Sequence, residues 1–271
     1  MLSIAGSDSG GGAGIQADLK AFARCGVHGM TAVTALTWQN TVAVEGVTPV
    51  PPEAIVGQVR AVAPDIGVDA VKIGMLGTAE TIAAVQAALD LIPDAPVVLD
   101  PVMVSESGAQ LLAPAARHAL VELLPRATVV TPNLMEARAL LEEAGRDAGG
   151  DGPELAAAIV ALGPRYAVVT GGHSTAADTI DYFSDGGRIV PIPGPRYPVG
   201  AAHGSGCTHS SALAAHLALG MGPLEAAVAA KVIASDAVRD GLHGVGAGSG
   251  PVDVLGVAAR AAAREPRTPL A

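Results

Sequence analysis

Aromatic residues and lysines are scarce in this chain of 271 residues. Phe, Trp and Tyr together make up 2% of the sequence, so a core must be built from Ala, Val, Leu and Ile. Lysine occurs only at Lys20, Lys72 and Lys231, which makes each lysine position informative. A formal net charge of −10 argues against nucleic acid or an anionic membrane as a partner. A bound phosphate would therefore need a local site rather than a broad basic surface.

Cysteines and long apolar runs are also few. Cys25 and Cys207 are far apart and fall in different predicted elements, so we expect no disulfide framework. No basic segment opens the chain, and no uninterrupted apolar run is as long as a membrane span. The sequence predicts a soluble, cytoplasmic protein with no membrane partner.

The hydrophobic half of the sequence is interrupted by 34 glycines and 20 prolines. Ala-rich helical stretches alternate with short Val/Ile runs, which is typical of an α/β fold with a mostly parallel sheet. We interpret residues 1–271 as a single domain with a flap at about 36–48 and a tail at about 265–271 that we expect to be mobile. Within the flap, the polar residues 37–41 are predicted to bend between strands over 30–36 and 42–48. A last helix is predicted over 252–264.

Polar or glycine residues follow the predicted strands at Gly6, Asp100 and Asn133. Because the carboxyl ends of parallel strands meet at one edge of a sheet, these residues predict a ligand site there. Asp100 and Glu136 would face the same crevice as Cys207, and paired carboxylates suit Mg²⁺ when phosphates supply further ligands. Taken singly, each acid could equally be a turn residue or a solvated helix position, and only their convergence favours a function.

Residues 203–211 contain a Gly-X-Gly turn that runs into a predicted helix over 207–219. The turn would gather backbone N–H groups at the positive end of the helix, which is a site for an anion. Cys207 would lie at its mouth, where the thiolate is favoured and could act as a base or nucleophile. The alternative is a glycine-rich helix start with a small packed cysteine.

The glycine-rich residues 6–14 fit neither of two common phosphate-binding motifs. No acidic residue follows at the distance that a dinucleotide fold needs, and the Gly-Lys-Ser/Thr ending of a P-loop is absent. We interpret the segment as a loop that admits a substrate closely, with a glycine linker as the alternative. Asp18 is then expected on the exposed first turns of the following helix.

Seven segments occur in an informative order: residues 5–18 (AGSDSGGGAGIQAD), 39–41 (QNT), 72–76 (KIGML), 99–103 (LDPVM), 131–137 (TPNLMEA), 171–173 (GGH) and 203–208 (HGSGCT). Together they resemble the hydroxymethylpyrimidine/phosphomethylpyrimidine kinases of thiamine biosynthesis, in the ribokinase-like superfamily. The resemblance runs from Leu2 to about Asp253. It implies a three-layer α/β/α fold, with helices on both faces of a mostly parallel sheet, and a homodimer.

The resemblance implies transfer of the γ-phosphate of ATP, with Mg²⁺, to 4-amino-5-hydroxymethyl-2-methylpyrimidine and then to its monophosphate. On the substrate side, Asp18 and Gln39 would hydrogen-bond the aminopyrimidine edge. Met75 and Val102 would pack beside the ring, and Gly6 would approach it through its backbone.

The resemblance also implies a catalytic and a nucleotide-binding set. Gly204, Ser205, Gly206 and Cys207 would form an anion hole, with Cys207 as the base in place of the aspartate of sugar kinases. Asp100 would organise Mg²⁺ and the phosphates together with Asn133 and Glu136. The remaining nucleotide-binding candidates are Thr170, Gly172 and Lys231.

The chain departs from the family pattern at three places. Thr170 stands where the family usually has a lysine near the ATP phosphates, and Lys231 is a candidate to replace it. Ala201-Ala202 replaces Asn-Thr, and Ser205 replaces Thr. Trp38 stands where a small residue is common, so its indole could narrow the pocket, close it as a lid, or lie at a subunit contact.

Three alternatives remain open from the sequence. A pyridoxal or pyridoxine kinase would phosphorylate a hydroxymethyl group on a similar flat ring. A vitamin-binding protein of the same fold could have lost the chemistry, which Thr170 would explain. A cysteine hydrolase would use Cys207 with His203 or His209, although no third orienting residue is evident.

Overall fold

The computed structural model describes residues 1–172, 178–197 and 201–262. Its strands are β1 (Leu2–Asp8), β2 (Met30–Gln39), β3 (Val44–Pro49), β4 (Val71–Ile73), β5 (Val97–Leu99), β6 (Val129–Val130), β7 (Tyr166–Val169), β8 (Asp178–Ser184) and β9 (Ile189–Pro195). Its α-helices are α1 (Gly14–Arg24), α2 (Pro52–Val62), α3 (Ala79–Leu89), α4 (Arg117–Leu123), α5 (Leu134–Glu143), α6 (Gly152–Val160), α7 (Ser205–Ala218), α8 (Pro223–Arg239) and α9 (Val257–Ala262). None of these helices is both long and apolar enough to cross a membrane. His173 and the tail at 265–271 lie outside the described residues.

The strands of the described ranges form one sheet in the order β3-β2-β1-β4-β5-β6-β7-β8-β9. From β2 to β7 every neighbouring pair is parallel, whereas β3, β8 and β9 pair antiparallel at the two sides. The predicted α/β fold with a mostly parallel sheet is confirmed. Because the parallel strands point the same way, their carboxyl ends share one edge of the sheet.

The two faces of the sheet bury different helices. Along β5, Val97 and Leu99 belong to a cluster with α2 to α6, whereas Val98 between them belongs to a cluster with α1, α7 and α8. This is the period-two alternation of a strand that is covered on both sides. The structure thus has the three layers that the resemblance implies.

The cluster around α7 and α8 explains how the chain packs with so few aromatic residues. Its helical members are mostly alanines, for example Ala212, Ala215 and Ala227, so the helices can approach the sheet closely. Both phenylalanines of the sequence, Phe22 and Phe183, fill the remaining space, and each is at most 2% exposed.

The predicted bend at residues 37–41 is too long, because β2 continues to Gln39 and so includes residues 37–39. Pairing with β3, at Thr37 to Val47 and Trp38 to Gly46, satisfies the backbone groups that a bend would have left to solvent. The indole of Trp38 lies against Gly46, where an added Cβ would collide with the ring. Trp38 is 62% exposed and does not line the main cavity, so it does not narrow that cavity in this structure.

Two other predicted boundaries are also corrected. β1 continues through residues 6–8, so the glycine-rich loop is shorter than expected. The last helix begins at Val257 rather than at residue 252. Val252 instead donates a backbone hydrogen bond to the carbonyl of His203, and Asp253 accepts from the N–H groups of Val257 and Ala258 at 2.8 and 3.0 Å.

The buried aromatic ring of α1 yields a stability prediction. Phe22→Ala should lower the free energy of unfolding by about 3–5 kcal/mol, because the surrounding small side chains cannot fill the space that the ring leaves. Urea unfolding followed by circular dichroism measures the loss. As a control, Ile66→Ala, at a position that is 54% exposed, should change it by about 0.5 kcal/mol or less. Equal effects of the two substitutions would contradict this account of the core.

Candidate functional site

A cavity of about 910 Å³ lies at the edge of the sheet where the parallel strands end. Its volume falls in the range of about 300–1,000 Å³ that is typical of small-molecule sites. All predicted site residues except Asp18 line it: Gly6, Gln39, Met75, Asp100, Val102, Asn133, Glu136, Thr170, Gly172, Gly204, Ser205, Gly206, Cys207 and Lys231. The prediction that Asp100, Glu136 and Cys207 face one crevice is confirmed.

The first turn of α7 forms part of the cavity wall. Gly204 precedes the helix with φ 84°, a left-handed conformation that favours glycine, and an added Cβ there would collide with the carbonyl oxygen of Gly12. The helix begins at Ser205, two residues before the predicted start. Because its first residues line the cavity, the positive end of the helix faces the space where an anion would bind.

Asp8 joins the two glycine-rich loops of the sequence. Its Oδ1 accepts a hydrogen bond from the N–H of Gly10 at 2.8 Å, and its Oδ2 accepts from Gly12 at 3.0 Å and Ala13 at 2.8 Å. The same Oδ2 lies 3.0 Å from Nε2 of His203. Burial acts to raise the pKa of Asp8, but the hydrogen bonds from His203 and the loop hold that pKa below its usual value. The carboxylate therefore fixes the start of α7 against the loop that follows β1.

Lys72 is a fully buried cation at the floor of the cavity. Its Nζ lies 2.9 Å from Oδ1 of Asp18 and 3.9 Å from Oδ2 of Asp100. Gly74 leaves room for it, because an added Cβ would lie 2.8 Å from Nζ. Burial alone would lower the pKa of Lys72, but Asp18, Cys207 and Asp100 together raise it above its usual value. The ammonium is thus charged and lies beside the carboxylates of Asp18 and Asp100.

Asp18 does not lie where the sequence placed it. The expectation of an exposed position on the first turns of α1 is wrong, because its side chain is fully buried. Besides Lys72, its carboxylate accepts hydrogen bonds from Ser3 Oγ at 2.6 Å and Ser211 Oγ at 2.7 Å. These partners hold Asp18 behind Lys72, which lines the cavity in its place.

Cys207 lies in the first turn of α7, as predicted, but the expectation of a favoured thiolate is wrong. Burial, reinforced by the charges of Asp100 and Asp18, raises the pKa of the thiol to about 12. Lys72 and a hydrogen bond from the N–H of Gly14 act in the opposite direction without reversing the shift. At neutral pH the thiol is therefore protonated.

The histidines expected of a cysteine hydrolase do not activate this thiol. His203 uses Nε2 for Asp8, and in the described ranges both ring nitrogens of His209 lack a hydrogen-bond partner. Neither histidine forms a hydrogen bond with Cys207 within the described residues. The geometry therefore does not support a Cys-His nucleophile.

Asp100 is buried and Glu136 is half-buried, and the charge of Asp100 makes Glu136 harder to ionise. Burial raises the pKa of Asp100, opposed by Lys72 and by a hydrogen bond from Ser210 Oγ at 2.9 Å. Burial and the nearby charge of Asp100 raise the pKa of Glu136 to about 8. A cation between two such carboxylates would relieve the repulsion that these shifts report.

The donor set fits a hard cation that is held partly by other ligands. Among the residues that the structure describes, no group of three or more His, Cys, Asp or Glu side chains is arranged as a complete metal site. Two carboxylates are nevertheless the usual protein contribution to a Mg²⁺ site whose other ligands are waters and phosphate oxygens. Asp100 and Glu136 therefore fit Mg²⁺.

Asn133 and Glu136 also fix the start of α5. The Asn133 side chain accepts hydrogen bonds from the N–H groups of Met135 and Glu136, both at 2.9 Å, while Glu136 Oε2 accepts from the N–H of Asn133 at 3.0 Å. This reciprocal capping box orients both side chains at the cavity wall.

A second charged group lies at the far end of the cavity, beside Thr170. The Nζ of Lys231 on α8 is 2.8 Å from Oδ1 of Asp181 on β8. That oxygen also accepts from the N–H of Gly171 at 2.9 Å. Lys231 therefore reaches the cavity next to Thr170, and its charge is balanced by Asp181.

The opposite end of the cavity combines apolar and amide groups. Met75 lies so close to Gly6 that a Cβ on the glycine would be 3.0 Å from its sulfur. Gln39 ends β2, and its Oε1 accepts a hydrogen bond from Thr37 Oγ1 at 3.3 Å. Val102 lines the wall just after β5. Apolar side chains can pack against the faces of a flat ring, and the amide of Gln39 can hydrogen-bond to a polar group at the edge of the ring.

The sequence interpretation assigned no role to three residues that shape this site: Asp8, Lys72 and Asp181. Lys72 and Asp181 carried a usable signal, since the immediate neighbours of each in its strand are apolar or aromatic. A charge in that position is rarely buried without an opposite charge. Their partners are distant in sequence, and only the fold brings them together.

Comparison with known proteins agrees with this geometry. Residues 8–253 match the family model described as phosphomethylpyrimidine kinase. The hydroxymethylpyrimidine/phosphomethylpyrimidine kinase of Rhizobium meliloti is 48% identical over 257 residues, which cover 93% of this chain and 95% of that protein. The enzyme of the same description from Streptomyces coelicolor is 47% identical over 254 residues, 93% of each chain.

A solved structure extends the comparison to the fold. The ADP complex of Bacillus subtilis pyridoxal kinase superposes with a TM-score of 0.84 at 37% identity, covering 95% of this chain and 97% of that chain. The family model spans most of the sequence, and both relatives are more than 40% identical over nearly their whole length. The chain therefore belongs to the phosphomethylpyrimidine kinase family.

Proposed function

We propose that this protein is a phosphotransferase that uses ATP to phosphorylate 4-amino-5-hydroxymethyl-2-methylpyrimidine and then its monophosphate. One observation carries the proposal: a single cavity joins a ring-sized apolar end, the first turn of α7 with Cys207, and the Asp100–Glu136 pair. Phosphoryl transfer depends on positioning and charge neutralisation, and these groups supply both. The relatives with this activity support the same conclusion.

The pyrimidine is proposed to bind at the apolar end. Gln39 faces the aminopyrimidine edge, Met75 and Val102 pack beside the ring, and Gly6 allows close approach of the backbone. We no longer assign Asp18 to the pyrimidine contacts, because its carboxylate is buried and paired with Lys72. We assign it instead the role of positioning Lys72 beneath the reacting groups.

The nucleotide is proposed to bind at the end marked by Thr170, Gly172 and Lys231. Asp100 and Glu136 would hold Mg²⁺, which when bound supplies positive charge to the phosphates. Asn133 keeps Glu136 oriented through the capping box. The first turn of α7 offers its N–H groups to the transferred phosphoryl group.

In the proposed reaction the hydroxymethyl oxygen forms a bond to the γ-phosphorus as the bond to the bridging oxygen breaks, which leaves ADP. The hydroxyl proton passes to the sulfur of Cys207. Since burial and the nearby carboxylates raise the pKa of the thiol to about 12, Cys207 must release its proton to solvent as the complex assembles. Neutralising the Asp100 charge removes one influence that raises the thiol pKa, and Lys72 can stabilise the thiolate.

We further propose a cytoplasmic homodimer built from single kinase domains. The flap supports a contact between two copies, because one of its faces exposes the large apolar side chains of Leu36 and Trp38, which are 51% and 62% exposed. Neither of these two residues lines the cavity.

Phosphorus NMR of the protein with Mg-ATP and the pyrimidine tests the activity directly. We expect a monophosphate to appear first, a diphosphate next, and ADP in step with both. A parallel sample with pyridoxine tests the second candidate, which the pyridoxal kinase structure favours. Phosphate on pyridoxine alone would overturn the pyrimidine assignment, and a bound pyrimidine without transfer would indicate a vitamin-binding protein.

Replacement of Cys207 tests the proposed base. Cys207→Ala should reduce turnover by roughly 10²–10⁴-fold, the usual effect of removing an acid–base group. Pyrimidine affinity should remain within a fewfold of the original, because the ring contacts are untouched. Steady-state kinetics and direct binding measure the two effects separately.

Two further variants sharpen the result for Cys207. Cys207→Asp should recover part of the lost turnover, since it restores a group that can accept a proton. Cys25→Ala, which changes the other free cysteine, should behave like the original protein. Near-normal turnover of Cys207→Ala would assign the proton to another group.

A further inference from the structure

His209 is a buried side chain in the cavity that no step of the proposed reaction uses. It lies on α7, lines the cavity and is 5% exposed. Both ring nitrogens are buried, and neither has a hydrogen-bond partner within the described residues. A buried polar group without a partner is costly, so its presence at a ligand cavity points to a partner that arrives with the ligand.

The charged groups that face His209 come from two elements. Asp181 on β8 places Oδ2 3.6 Å from Nε2, which is too long for a hydrogen bond. Lys231 on α8 adds a positive charge, which is already paired with Asp181 at 2.8 Å. Burial and Lys231 lower the pKa of His209, and Asp181 opposes this without reversing it. The ring is therefore neutral near pH 7.

The surroundings of His209 define the chemistry of the missing partner. Thr170 and Gly172 line the same end of the cavity. Thr170 supplies no charge at this end. The Asp181–Lys231 pair is neutral overall, so a polyphosphate entering this end gains little net attraction from it. An anionic oxygen would satisfy a ring nitrogen of His209 and favour its protonation.

We propose that His209 donates a hydrogen bond to the polyphosphate of the bound nucleotide and takes up one proton from solvent as the nucleotide binds. No bond in the nucleotide is made or broken in this step. The inference rests on the proposed use of ATP and assigns to this chain a nucleotide contact on α7 in addition to Lys231. Nucleotide affinity should consequently fall as pH rises through the interval between the lowered pKa of the free ring and its higher value in the complex.

Calorimetric titration of the full chain with Mg-ADP, in buffers of different ionisation enthalpy between pH 6 and 8.5, tests the proposal. The wild-type protein should take up a substantial fraction of a proton for each nucleotide that binds. His209→Gln keeps a donor but cannot gain a charge, so the uptake should disappear. His209→Leu removes the donor as well and should weaken binding by roughly tenfold, the worth of a hydrogen bond to a charged group. Comparison in identical buffers cancels the protonation of the nucleotide itself.

His216 provides a matched control on the same helix. Its ring nitrogens also lack hydrogen-bond partners among the described residues, and its pKa is likewise lowered by burial, yet it does not line the cavity. His216→Gln should therefore leave affinity and proton uptake unchanged. The KM for ATP should rise in the His209 variants while the KM for the pyrimidine stays constant.

The outcomes separate this inference from the proposed function. If the original protein binds no Mg-ADP and transfers no phosphate, the proposed function itself fails. If it binds Mg-ADP and His209→Gln shows the same affinity and proton uptake, the role of His209 is overturned. Should His209→Leu fail to fold, as judged by its thermal transition, the His209→Gln result alone decides.

Discussion

The site depends on one buried cation, Lys72, held between two carboxylates from different parts of the chain. Asp18 comes from α1 and Asp100 follows β5, yet both pair with the same ammonium. Without that charge the interior would hold acids with no compensation, which is strongly unfavourable. The ion pair between Lys72 and Asp18 therefore couples the stability of the fold to the placement of the reacting groups.

The same constraint explains why the two glycine-rich loops meet. The loop after β1 leads into α1, which carries Asp18, and the loop before α7 leads to Cys207. Asp8 bonds to both loops, directly to the first and through His203 to the second. Glycines at positions 12 and 204 are required because side chains there would collide with the opposite loop. These contacts fix the two loops against each other at a wall of the cavity that Lys72 also lines.

Sequence periodicity was sufficient to predict the mostly parallel sheet and the edge at which the site lies, because both follow from local patterns. It failed where long-range contacts decide. Pairing with β3 keeps residues 37–39 in a strand where a bend was predicted. The backbone hydrogen bond between Val252 and His203 keeps Val252 out of the last helix, which therefore begins later than predicted. The predicted exposure of Asp18 and the predicted thiolate of Cys207 were wrong for a related reason. Burial and charges from distant parts of the sequence control both, and neither can be read from local patterns.

The most direct test of the central claim is a double-mutant cycle on the Lys72–Asp18 pair, measured as the free energy of unfolding in urea. Lys72→Met and Asp18→Asn should each cost roughly 3–5 kcal/mol, because each leaves an uncompensated buried charge. The double variant should cost clearly less than the sum, with a coupling of at least about 1 kcal/mol. Additive losses, or single losses near zero, would contradict the claim that this ion pair supports the site.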